Sequence, residues 1–108
     1  MSPFRVALLL LLVGCARGVP LDVRDCTIAA DGQTESLRAT LVNRADRPML
    51  DAVLRVDVYQ NYRYMRAGVP VVFRPVLDPG TSRALHLPVD LPGAASGAAT
   101  CIAIAADY

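Results

Sequence analysis

The sequence predicts an all-β domain, an antiparallel sandwich of six to seven short strands, preceded by a cleavable signal peptide. Three observations carry that expectation. Apolar residues alternate with period two in several runs and do not recur at helical spacing. Turn chemistry separates those runs at roughly ten-residue intervals. One cysteine falls in the first predicted strand and one in the last, Cys26 and Cys101.

The leader comes first. Arg5 precedes an unbroken apolar run at 6–13 that holds leucine at every position from 8 to 12. A charged start followed by a short apolar core is the pattern of an export signal. The run is about half of the ~20 residues that a membrane-spanning helix needs. As a helix of a small cytosolic fold it would leave an apolar flank uncovered. Residues 1–18 therefore read as the signal peptide and 19–108 as the exported domain.

Two processing sites compete. Leu12-Val13-Gly14-Cys15 resembles the lipobox of bacterial lipoproteins. That resemblance implies lipidation of Cys15, a new N-terminus there, and membrane association through a lipid anchor. Ala16-Arg17-Gly18 instead offers small residues at the minus-three and minus-one positions before Val19, which suits ordinary cleavage. Both routes imply an extracytoplasmic protein, in the periplasm or outer membrane as a lipoprotein or else secreted.

Within the domain the strands follow in order. Residues 19–28 contain Val23, Cys26 and Ile28 among Asp22, Arg24 and Asp25; so many charges predict an edge strand that discourages pairing with other chains. Residues 36–43 put Leu37, Ala39 and Leu41 on one face. Residues 51–59 place Ala52, Leu54, Val56 and Val58 inward, with Asp51, Arg55 and Asp57 outward on a wet face. Residues 69–76 are apolar and β-branched, but Pro70 and Pro75 lack a ladder donor and push this strand to an edge or a bulge. Residues 84–91 alternate again, with Leu85, Leu87, Val89 and Leu91 inward and His86 and Asp90 outward. Residues 100–106 close the chain, Ile102 and Ile104 on one side and Cys101 on the other.

Between them, Asp31-Gly32 suits a tight hairpin and Pro79-Gly80 a type II turn. Residues 43–48 form a polar loop, and 93–97 a flexible small-residue connection. Leu41-Val42-Asn43, then Val56-Asp57-Val58-Tyr59-Gln60, and later Leu77-Asp78-Pro79-Gly80 before Leu85-His86-Leu87 resemble the immunoglobulin-like sandwiches of bacterial envelope proteins, of the FxLYD type. The similarity spans residues 37–91. Gln60 stands where that family tends to carry aspartate. The resemblance implies an immunoglobulin-like fold and an accessory role in the envelope, and fold alone names no activity.

Of 108 residues, 11 are basic, all of them arginine, and 10 acidic. Two of the arginines belong to the leader, so the domain is close to neutral. It has no basic footprint for nucleic acid and no polybasic patch for anionic lipid. With Cys15 assigned to the leader, Cys26 and Cys101 are an even pair in an oxidising compartment and predict a disulfide; two separate buried thiols are the alternative. A bridge closing about 75 residues contributes about 4 kcal/mol on the chain-entropy account.

No reaction is legible. His86, the one histidine, lies on an outward strand position and reads as a solvated residue, with no nucleophile placed beside it. One histidine and two distant cysteines do not make a zinc site. Asp51 and Asp57 would stand roughly 20 Å apart along a strand, too far to act on one bond. Asp31, Glu35, Asp46 and Asp78 occur singly, without the ordering of a calcium loop. No cofactor and no metal are expected. The feature above background is Tyr59-Gln60-Asn61-Tyr62-Arg63-Tyr64-Met65-Arg66, whose composition matches binding surfaces. Its structural alternative is that the tyrosines cap the sandwich end with arginines stacked on them. The expectation is a non-enzymatic binding or structural accessory module, with Tyr62, Arg63, Tyr64 and Arg66 as the contact patch for another envelope protein or a surface glycan. The alternative is a small secreted inhibitor or effector acting through an exposed loop.

Overall fold

The computed structural model describes residues 18–31 and 34–108. The segment read as a signal peptide, with Cys15 and both processing motifs up to Arg17, lies outside the described residues, as does Gly32. Seven strands form two antiparallel sheets: β1 (Leu21–Asp31), β2 (Thr34–Asn43), β3 (Met49–Gln60), β4 (Arg63–Leu77), β5 (Ser82–Val89), β6 (Gly97–Ala98) and β7 (Thr100–Asp107). One sheet has the order β5-β2-β1-β6 and the other β4-β3-β7.

Alternation drives the packing. Leu37, Ala39 and Leu41 of β2 and Ala52, Leu54, Val56 and Val58 of β3 are buried between the layers, joined by Val69, Val71 and Phe73 of β4. Each fully buried large apolar side chain contributes roughly 1.5–3 kcal/mol by leaving water. Cys101 packs partly buried against the core and is disulfide-bonded to Cys26 across the seam between sheets, with their Cα atoms 6.1 Å apart.

One end of the sandwich holds the chain entry at Leu21, the β2–β3 loop, the β4–β5 turn and Tyr108. Asn43, fully buried, organises it: its amide Nδ2 donates to the carbonyls of Leu77 and Arg47, and its Oδ1 accepts from the Ala45 N–H. Gly80, with φ of 74°, closes the Pro79-Gly80 turn, where the Thr81 N–H donates to the Asp78 carbonyl. The opposite end holds the β3–β4 hairpin and the 90–96 loop.

Four expectations need correction. β1 is not an edge strand throughout, because β6 pairs with Thr27 and Ile28 on its outer side, where the Cys26 carbonyl also accepts from the Ala99 N–H and the Ala30 N–H donates to Ser96 Oγ; a bulge at Asp25, with φ of 54°, interrupts the strand before that stretch. The strand at 69–76 is the second half of a longer one, since β4 starts at Arg63. The 93–97 connection is anchored rather than loose: Leu91 and Ala94 before and within it are buried, and Gln60 exchanges two hydrogen bonds with Ala95. Asp57 does face outward, yet it is only 6% exposed rather than wet.

Candidate functional site

The burial of Asp57 follows from the hairpin. Gln60 pairs with Arg63, leaving Asn61 and Tyr62 as a two-residue turn with φ of 53° and 60°. Positive angles at both positions define the type I′ turn, whose twist matches the strands it joins. Asparagine tolerates that conformation; tyrosine is strained in it by about 1 kcal/mol. Tyr62 is nevertheless 96% exposed, so nothing in the fold compensates by packing on its ring.

The turn sets the register, and the register builds the site. Tyr59 lies opposite Tyr64, their rings 5.7 Å apart and tilted by 55°. One row further, Asp57 lies opposite Arg66, whose Nε donates to Oδ1 at 2.6 Å, while Arg55 Nε donates to Oδ2 at 3.1 Å. The bond from Arg66 is the main reason the Asp57 carboxyl titrates below its ordinary value. Two guanidinium groups thus share one carboxylate, which leaves a surplus of positive charge.

Below that row the face turns apolar. Arg55 stands between Gly68 and Ile102, and Val53 between Pro70 and Ala105, with Ile104 in the β7 bulge beside them. At the far end Asp51 lies opposite Asp107, two carboxyls side by side. Desolvation, then the Asp107 charge, raises the Asp51 pKa above its ordinary value.

The two outer faces of the sandwich differ sharply. All nine large apolar side chains exposed among the described residues belong to β3, β4, β7, their hairpin or the terminal Tyr108. The outer face of the four-stranded sheet carries Asp22, Arg24, Arg38, Thr40 and His86 instead. An open depression of about 410 Å³ on it is lined by Asp25, Arg38, Thr40 and His86, among others. Exposed hydrophobic surface segregated to one face marks a contact surface.

The predicted patch residues Tyr62, Arg63, Tyr64 and Arg66 therefore come together at the hairpin end of the three-stranded sheet, all exposed. Sequence reasoning missed Ile102, Ile104 and Val72 as parts of the same face, and missed the acidic pair. The alternation of β7 against β3 was the available cue, and it reads only once their pairing is known. Among the described residues no three His, Cys, Asp or Glu side chains gather as metal ligands would. Comparison of the chain with protein-family models, curated proteins and solved structures finds no match.

Proposed function

We propose that this chain is an exported, non-enzymatic contact module of the cell envelope, anchored through a lipid on Cys15 and binding a protein partner through the outer face of its three-stranded sheet. The observation that carries the reading is that exposed Tyr59, Tyr64, Val72, Ile102 and Ile104 all lie on strands of that sheet. Tyrosine provides contact area at low entropy cost, and arginine beside it provides directional hydrogen bonds.

The described chain starts at Gly18, beside the Ala103 carbonyl of β7, and β1 starts at Leu21 opposite Asn43, at the end of the strands away from the tyrosine hairpin. Strand order supports the immunoglobulin-like reading: with β1, β2 and β5 as A, B and E, and β4, β3 and β7 as C′, C and F, the neighbours are those of that sandwich. The disulfide here joins A to F rather than B to F.

The test combines mass and contact. Intact-mass analysis of the processed protein should report a lipid-modified N-terminal cysteine. A photo-cross-linking residue at Tyr64 in cells should yield a discrete adduct that the same residue at Arg38 does not. Equal adducts at both positions, or none, contradict the contact role. An unlipidated start at Val19 favours a secreted effector acting through the Tyr62 hairpin, a reading supported by that loop's near-complete exposure.

A further inference from the structure

We propose that the outer face of the three-stranded sheet pairs with the same face of a second copy of this chain, strands antiparallel, about a two-fold axis crossing the strands near Leu54. The pairing goes beyond the contact role above, because the tip of each hairpin overhangs the paired region and stays available to another partner.

The charge pattern selects this occupant. Along the strands the face runs from a row with surplus positive charge, Arg55 and Arg66 around Asp57, through an apolar middle, to the acidic row of Asp51 and Asp107. The two charged rows are about 20 Å apart at the rise of a strand. Turning a second copy end for end over the first keeps each strand over its own mate and sets Asp51 of each over Asp57 of the other, within reach of the two guanidinium groups, Arg55 and Arg66, that already hold that carboxylate. The same operation stacks apolar middle on apolar middle. A two-fold axis along the strands would instead oppose Asp51 to its own mate, and the like charges reject it.

The axis passes near the level of Leu54, where the register with β7 shifts and Ile104 sits. Ile104, 53% exposed, then faces its own symmetry mate, as an isologous interface requires of a residue at its axis. The rows from 49 to 59 on three strands give roughly 500 Å² per copy from strand spacing and rise, about 1,000 Å² in all. That is the lower bound for a specific interface, so the pairing is expected to be weak, with a dissociation constant on the order of 10–100 μM that rises with salt.

Ile104→Glu and Ile104→Arg test the pairing, since each sets like charges face to face at the axis while a mixture sets opposite ones. Both sit at an exposed position, and circular dichroism and thermal unfolding confirm that each variant is folded. Sedimentation equilibrium of the purified protein at low salt should give a monomer–dimer equilibrium. Each variant alone should self-associate at least tenfold more weakly, and an equimolar mixture should recover the wild-type affinity within about threefold. Asp107→Arg should also weaken pairing at least tenfold, and Arg38→Glu on the other sheet should leave it unchanged. A wild-type monomer at 500 μM, a dimer indifferent to both Ile104 variants, or a mixture that stays monomeric overturns the proposal. A Tyr64 adduct with the mass of two copies of this chain reports the pairing and an adduct of any other mass reports a separate partner, so the two ideas fail separately.

Discussion

Single residues on this molecule divide between those that hold the fold and those that the fold tolerates. Asn43 holds it. A buried side-chain amide that satisfies two carbonyls and one N–H cannot be shortened without leaving those groups unpaired. Asn43→Ala should lower unfolding free energy by about 2–3 kcal/mol in urea titration. Tyr62 is tolerated. Glycine at that position relieves the left-handed strain, so Tyr62→Gly should raise stability by about 0.5–1 kcal/mol, and it should weaken the Tyr64-dependent cross-link in cells. A strained, fully exposed aromatic residue that costs stability is the pattern expected where function sets the residue.

At the scale of elements, pairing creates chemistry that neither strand contains alone. Asp57 and Asp22 are held low, the first mainly by its bond from Arg66 and the second mainly by its bond from Arg44. Their contribution to stability is complete above the ordinary carboxyl value of 3.8 and is lost as pH falls through the lowered values. Asp51 behaves oppositely. Its raised value means that its contribution is present below 3.8 and lost as pH rises through the folded-state value. Asp51→Asn should therefore raise the thermal midpoint at pH 7, and the gain should vanish near pH 3, in dilute protein where the chain is monomeric. Those pairs were not legible in the sequence. Arg66 reaches Asp57 only because Asn61-Tyr62 turns without a glycine to announce it, and Asp51 meets Asp107 only through the β3–β7 register. The 93–97 connection looked loose for the same reason, since Gln60 holds Ala95 from another strand. Alternation within a strand was legible, as Val56, Val58, Leu85 and Leu87 show, because the inward face is set locally by the pleat.

The described residues form a thin two-layer sandwich with one polar face, one face rich in exposed apolar side chains and a covalent tie at the seam. A domain of this size buries too little surface to be stable without margin, and the bridge between Cys26 and Cys101 supplies much of it. Replacing both cysteines by serine should cost about 4 kcal/mol, read as a lowered denaturation midpoint. The difference between faces is the property from which the contact role and self-pairing both follow. It is tested most directly by backbone amide chemical shifts of the protein between about 20 μM and 1 mM. The account predicts concentration-dependent shifts at Arg55, Arg66, Gly68, Ile102 and Ile104, and flat responses at Arg24, Arg38, Thr40 and His86. Shifts concentrated on the four-stranded sheet, or spread evenly over both, would contradict it.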